Sequence, residues 1–592
     1  MPKVGMTGFL RRDGPDAAGG AAYTARRCPP TRHGPEALWA RRRGSSPPEP
    51  GRCTCLRWCR REAARDGPVR GHRRWRAPAH PTLPGEGRPP PASSRRGWSR
   101  HRLRRCGMMR TSPRQRTALH TLDRAMTHAL SRPALIPLAL ALAGATLSAR
   151  TPMAQDLPAN PATGTQAWVQ LVAEGRAELR AWTTLAQCPV AEVDGQSLAM
   201  RLRAPAGVAA NRHEGKLPAP VFPVNSCELT LPEGVKTLRV EGQALPLPKL
   251  QYQRIVVLGD TGCRLKGAEV QDCLDPKAWP LADISRQIAA WGPDLVLHVG
   301  DYHYRESACP EGRAGCAGSP FGYGWEAWRA DFFQPAAPLL RAAPWVMVRG
   351  NHESCMRAGQ GWHRLMGAAA YDPAANCDQA SGDAQADFGE PFAVPIDGQH
   401  QFIVFDSARA SYTTLKPGDA LHAPFLRAVE AVKRLSLQRP ASFFTSHHPV
   451  LGFATNQLGG GIPGTPSLTS VMGQAVGPRY FPEGVRLALH GHVHTFQALR
   501  FASDHPSTLI SGHGASGLST PLALPLPAGL QPAPGADVAE AHSLDGFGFV
   551  TLERLAGEWR IEEHSLAGHK RLSCTLAVEA PKAGLRCEAV KP

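Results

Sequence analysis

This chain of 592 residues lacks an apolar run long enough to be a comfortable helical membrane span. Its apolar stretch over residues 134–147 falls short of the roughly 20 residues that a helical span needs, so no stable membrane span is expected. There is no internal repeat, and the length is therefore not made of stacked copies of one unit. A surplus of positive charge is also missing from most of the chain. The formal net charge is +19, yet residues 1–125 hold 29 Lys and Arg against 8 Asp and Glu, which leaves 39 against 41 for residues 126–592. A main body this close to neutral has no electrostatic footprint for nucleic acid, which is not expected as a specific partner.

Residues 1–125 lack sustained apolar periodicity and are rich in Arg, Pro and Gly, so they cannot bury a core. Cys53, Cys55 and Cys59 are irregularly spaced and no paired His or Cys set follows, which opposes a zinc site there. The expectation is a disordered basic segment that is not part of the mature protein. Met126, Arg132, the apolar run and small residues at Ala149 and Ala154 then have the layout of a secretory signal peptide over residues 126–154. That layout points to a true start at Met126, or at Met108 or Met109. Ten of the 15 cysteines follow, in sequence-local couples: Cys188 with Cys227, Cys263 with Cys273, Cys309 with Cys316, Cys355 with Cys377, and Cys574 with Cys587. Paired in this way they imply an oxidising compartment, periplasmic or extracellular.

Residues 155–249 alternate apolar and polar side chains in short stretches broken by turn residues, which predicts a small all-β sandwich domain. From residue 250 the pattern changes to short apolar runs separated by amphipathic stretches. Runs at 254–258, 294–299, 344–348, 401–405, 441–445 and 485–489 read as buried strands, and 280–291, 325–340 and 419–435 as helices. Later runs near 507–510, 546–552 and 559–563 suggest a second sheet. The result is an α/β layered domain over 250–570, with a C-terminal extension over 571–592 that carries Cys574 and Cys587.

Five of those strands run into side chains able to bind metal. Gly259-Asp260-Thr261-Gly262 follows the first, Gly300-Asp301-Tyr302-His303-Tyr304 the second, and Gly350-Asn351-His352-Glu353 the third. Ser446-His447-His448-Pro449 and His490-Gly491-His492-Val493-His494 follow two more. An Asp after a strand is often a helix cap, and a lone His is more often a satisfied core residue. The conjunction differs, because ligands bind outside the carboxyl ends of strands in such sheets and these clusters supply O and N donors for two cations.

The ordered pattern DxG, GDxxY, GNHE, a histidine preceded by Phe444 where VxxH has its Val, and GHxH resembles the calcineurin-like metallophosphoesterases. Within them it is most similar to the purple acid phosphatases, because Gly262 stands where most members have the His of DxH and Tyr304 is supplied instead. The resemblance covers residues 254–500 and implies a two-sheet layered sandwich flanked by helices, with the preceding β domain similar to the N-terminal sandwich of larger members. It implies that Asp260, Tyr304 and His494 hold one metal and Asn351, His447 and His492 the other, with Asp301 bridging. Spacing to Pro449 favours His447 over His448.

A phenolate makes the first position harder and more anionic, favouring Fe(III), while imidazoles and an amide suit Fe(II), Zn or Mn. The implied activity is hydrolysis of phosphate monoesters by a metal-bridging hydroxide, with His352 assisting the leaving group. His303 and His448 lie beside ligands and are weighed as substrate contacts; Glu353 is read as fixing a His tautomer or capping a turn. The glycine-rich segment 452–466 is read as a lid or a surface linker. Two alternatives stand beside the monoesterase: a phosphodiesterase or nucleotidase on the same core, and a non-catalytic surface binding module stabilised by metal.

Overall fold

The apolar run before Asp260 forms the strand Arg254–Leu258, and its alternate side chains enter two different cores. Ile255 and Val257 join Leu295, Leu297 and Val346 in a core shared with Phe402, Phe443 and Leu487 of a second sheet. Val256 and Leu258 face the other way, onto Ile284, Ile288, Trp325 and Trp328. A strand covered on both faces must be apolar throughout, which is why it reads as a run and not as an alternation. Beyond the second sheet, Ile403, Phe405, Phe444 and Ala488 pack on Phe425, Val429, Leu468 and Val471 of the helices His422–Leu435 and Pro466–Val476. The layers therefore run helix, sheet, sheet, helix, which is the expected sandwich.

This computed structural model describes residues 164–577 and 584–590. The basic segment and the signal peptide expected over 1–154 lie outside the described residues. Among the described residues no helix is long and apolar enough to cross a membrane. All five expected cysteine couples are disulfides.

At the centre of the first, eleven-stranded sheet, Arg254–Leu258, Leu295–His298 and Trp345–Met347 are parallel neighbours. In the seven-stranded second sheet, His400–Val404, Ala441–Thr445, Val485–His490 and Ser507–Ser511 are also parallel. Parallel strands carry their carboxyl ends to one edge, so the loops that follow them gather there.

The ends of the chain complete the first sheet. Residues 164–249 are rich in strands as expected, but Thr165–Leu171 pairs in parallel with Trp345–Met347, and Ala177–Thr183, Asn225–Thr230 and Arg201–Ala204 extend the sheet beyond it. Four short strands between 190 and 244 form a sheet of their own, and Gly207–Val208 pairs with Val221–Phe222 in a separate two-stranded one. The expected boundary at 249 divides the chain but not the sheet, because the edge of Trp345–Met347 would otherwise present unpaired backbone. Arg203 ties the two parts together. Its guanidinium donates to the carbonyls of His363, Arg364, Gly367 and Ala369 at the end of the helix Gly359–Leu365, and to Glu228.

Two expectations are corrected at the other end. Gly548–Leu555 and Glu558–Ser565 do not join the second sheet with Ser507–Ser511; they return to the first, antiparallel to Arg254–Leu258. Alternation identifies a strand without saying which open edge it pairs with. Lys570–Ala577 and Arg586–Ala589 continue that sheet and supply its edge, with Cys574 bonded to Cys587 across the pair. The expected helix over 325–340 is broken into Trp325–Trp328, a π turn at Arg329–Phe333 and Ala337–Leu340. The segment read as a lid or a surface linker holds a hairpin of Phe453–Thr455 with Gly461–Pro463, anchored where the Gln497 amide exchanges hydrogen bonds with the Phe453 backbone.

Candidate metal centre

Three of the expected ligands sit in backbone conformations that non-glycine residues seldom adopt. Asp260, Asp301 and His492 have φ of 56°, 61° and 71°, left-handed values that turn the chain sharply at the strand ends. Hydrogen bonds between the clusters hold these turns. Asp260 N–H donates to the Gly300 carbonyl (2.9 Å), Thr261 N–H to the Asp301 carbonyl (2.9 Å), and His492 N–H to Asp260 Oδ2 (2.9 Å). Gly350 is required at its turn, since a Cβ there would lie 2.0 Å from Asp301 Oδ1.

All seven expected ligands are brought together. On one side the Tyr304 hydroxyl lies 2.7 Å from Asp301 Oδ2, 3.1 Å from Asp260 Oδ1 and 2.7 Å from His494 Nε2, and that Nε2 is 3.1 Å from Asp260 Oδ1. On the other side Asn351 Oδ1 lies 3.1 Å from His447 Nε2 and 3.0 Å from His492 Nδ1. Asp301 Oδ2 joins the two groups, standing 3.1 Å from His447 Nε2. Asp260 and Tyr304 are fully buried, whereas Asn351 and His492 lie at partly exposed positions.

The donor set fits cations for a reason visible in its tautomers. His447 Nδ1 faces the Val299 carbonyl (2.9 Å) and His494 Nδ1 faces the Gly517 carbonyl (2.7 Å). Each therefore carries its proton at Nδ1 and turns the lone pair of Nε2 onto a carboxylate oxygen. Lone pair against lone pair at 3.1 Å is repulsive unless positive charge lies among them. Titration expresses the same demand: burial lowers the His447 pKa, but the Asp301 and Asp260 carboxylates overcome it and raise the value to about 9. Burial, then Asp301 and Asp260, push the Tyr304 phenol well above its ordinary value.

Two carboxylates that bind no expected cation shape the centre. Glu353 accepts from the backbone N–H groups of Asp301 (3.1 Å), Tyr302 (2.9 Å), His303 (3.1 Å) and Gly350 (3.0 Å), so it braces two turns and holds no histidine tautomer. Asp331, which sequence reasoning missed, accepts from the N–H groups of Cys263 (3.0 Å), Tyr304 (2.7 Å) and Arg305 (3.0 Å) and from Arg305 Nε (2.6 Å). It lies in the π turn and is fully buried, so its acid group fixes the loop that carries Tyr304. At Gly262 a Cβ would meet Tyr304 N at 2.7 Å and Tyr302 O at 2.8 Å. A side chain at this position of the first motif is thus excluded by the loop that brings in the tyrosine.

His352 lies with its ring 3.7 Å from that of Tyr304, its Nε2 3.8 Å from Asp301 Oδ2 and its Nδ1 3.0 Å from Glu306 Oε1. Arg357 touches both His352 and Glu306. Of the two neighbouring imidazoles, His447 is the one that meets Asp301 and Asn351. His448 has Nδ1 near the Ser407 hydroxyl (3.2 Å) and its ring 4.0 Å from that of His492. His303 is fully buried against Tyr323 and Trp328.

Strand-end carboxylates, an amide, a phenol and imidazoles on one edge of a layered α/β sandwich define a metallophosphoesterase. Residues 253–496 match the family model of the calcineurin-like phosphoesterases, and this part of the chain is a calcineurin-like phosphoesterase domain. The chain is accordingly a hydrolase, of the class that cleaves phosphoesters with metal ions. No curated protein matches it in sequence. Among solved structures it is similar to a purple acid phosphatase isolated from yellow lupin (Lupinus luteus) seeds, with 14% identity over 70% of this chain and 74% of that one and a TM-score of 0.46. It is also similar to PhoD, with 12% identity over 73% of this chain and 94% of that one and a TM-score of 0.41. A third likeness is to GAP50, the anchor in the inner membrane complex of Plasmodium, with 11% identity over 58% of this chain and 90% of that one and a TM-score of 0.32.

Proposed function

We propose that the chain hydrolyses phosphate monoesters at a binuclear centre, in the periplasm or outside the cell. The observation that carries this reading is the position of Asp301 Oδ2 between the Tyr304 hydroxyl and His447 Nε2, which is where a carboxylate shared by two cations belongs. In this reading Asp260, Tyr304 and His494 hold one ion, Asn351, His447 and His492 hold the other, and Asp301 serves both. Bound there, two cations supply Lewis-acid charge and an activated water. The oxygen-rich side suits Fe(III), and the side with two imidazoles and an amide suits Fe(II), Zn or Mn. Five disulfides agree with an oxidising compartment.

The chain's own residues do the rest. In this reading His352, whose Nε2 is turned toward Asp301, protonates the leaving oxygen, and Glu306 and Arg357 hold its ring. Burial lowers the His352 pKa to about 4 against the pull of Asp301 and Glu306. The proton-donating form therefore grows as the pH falls, which favours hydrolysis in acid. Purified protein assayed on paired chromogenic monoester and diester substrates tests the reading. A preference for the monoester supports it, and a preference for the diester overturns it. Iron-loaded protein is expected to show a visible phenolate absorption band that is lost in Tyr304→Phe, and a colourless active enzyme with no iron would retire the iron assignment.

A further inference from the structure

Arg264 stands beside the centre, its guanidinium meeting Glu269, Tyr304 and His494 while its Nε finds no partner among the described residues. It follows Cys263, and its loop is fixed by the Cys263–Cys273 disulfide and by its own backbone N–H, which donates to Gln271 Oε1 (3.0 Å). Nη1 pairs with Glu269 (2.7 Å), and the guanidinium carbon lies 5.1 Å from the centre of the Tyr304 ring. Nη2 is 2.9 Å and 3.1 Å from the two ring nitrogens of His494. That imidazole cannot serve it when cations are bound, because Nδ1–H is given to the Gly517 carbonyl and Nε2 is turned onto Asp260 and Tyr304. Nε of Arg264 is buried and has no acceptor among the described residues.

Charge leads to the same place. Tyr304, Glu269 and Asp260 hold the guanidinium beside the centre by charge, and a phosphoryl anion bound there would add to that attraction. The side chain is 23% exposed, so a ligand can reach it from solvent. A planar donor fork matches two oxygens of one phosphoryl group.

Resting on the phosphoesterase reading above, we propose that Arg264 grips the phosphoryl oxygens of the substrate and thereby selects the doubly charged monoester over the singly charged diester. A fixed positive charge gains more from a dianion than from a monoanion, so discrimination by charge follows from its position. Neither the DxG motif nor any other motif of the chain signals this residue.

Arg264→Ala and Arg264→Lys, prepared as metal-loaded full-length protein beside the wild type, test the proposal with three readouts: metal content, inhibition by inorganic phosphate, and kcat/KM on a monoester and a diester. For Arg264→Ala the phosphate inhibition constant is expected to rise, and monoester kcat/KM to fall, by about 10- to 100-fold, the effect of losing a charge-assisted pair of hydrogen bonds. Two metals per chain should remain, the diester rate should fall much less, and Arg264→Lys should be intermediate. An unchanged phosphate inhibition constant with metals retained overturns the proposal. Loss of metal, or failure of both variants to fold, also overturns it by showing that Arg264 supports His494 and the loop instead. Wild-type protein that holds two metals yet cleaves neither ester would instead remove the phosphoesterase reading itself.

Discussion

Asp331 Oδ2 lies 2.7 Å from the backbone nitrogen of Tyr304, and through that contact a π turn in one helix sets the position of a phenol at the metal centre. The carboxylate is fully buried and pairs with the buried Arg305. Asp331→Ala strips three backbone N–H groups of their acceptor and leaves Arg305 without its partner. The expected cost is about 3–5 kcal/mol, read from denaturant unfolding. Any Asp331→Asn protein that folds should bind metal more weakly on the Tyr304 side, measured as metal retained after dialysis.

His352 supplies the second expectation. Because it meets Asp301 only at 3.8 Å, removing it should leave the cations in place and act on turnover. His352→Asn is expected to lower kcat by about 10²- to 10⁴-fold, the usual contribution of a positioned acid. It should also flatten the rise in rate between neutral and acid pH. A variant with wild-type kcat would assign the leaving-group proton elsewhere.

Arg203 should matter to folding and hardly to chemistry. It donates to four carbonyls across the seam between residues 164–249 and the phosphoesterase domain, and it pairs with Glu228. Arg203→Ala is expected to destabilise by about 2–4 kcal/mol through stranded buried acceptors. Surviving folded protein should keep its KM.

A pH dependence of stability follows from His363. Burial, then the Arg349 guanidinium, depresses its pKa to about 3 from an ordinary 6.5. Between those values the unfolded chain binds a proton that the folded chain refuses, so unfolding is favoured by acid. This contribution is fully present above pH 6.5 and is lost as the pH falls toward 3. His363→Asn should show a shallower loss of stability between pH 7 and about pH 5 in denaturant titrations, and a slope equal to wild type would exclude His363 as its source.

Much of this molecule is legible in its sequence for a physical reason. Strands buried on both faces appear as apolar runs, so Arg254–Leu258 and Ala441–Thr445 are found at their true bounds. The residues after them must be polar, and all seven expected ligands are gathered at one place. What the sequence conceals are pairings made at a distance. An aspartate inside a helix, such as Asp331, looks like any solvent-facing acid until the Tyr304 loop is seen above it. Period-two alternation in residues 548–565 does not tell which sheet edge is open, and Arg203 in a short strand gives no hint of the carbonyls it will meet more than 150 residues away. Arg264 was equally silent, since a basic residue beside a cysteine carries no spacing signal.

The central claim is that Asp301 stands between two cations that this chain needs in order to cleave phosphate esters. Its most direct test is elemental analysis of purified wild type and Asp301→Asn, paired with monoester hydrolysis before and after chelation. Two metals per wild-type chain, hydrolysis that disappears with chelator and returns with added metal, and loss of both metal and activity in Asp301→Asn are the predicted results. Undiminished hydrolysis by metal-free protein, or by Asp301→Asn, would contradict the account.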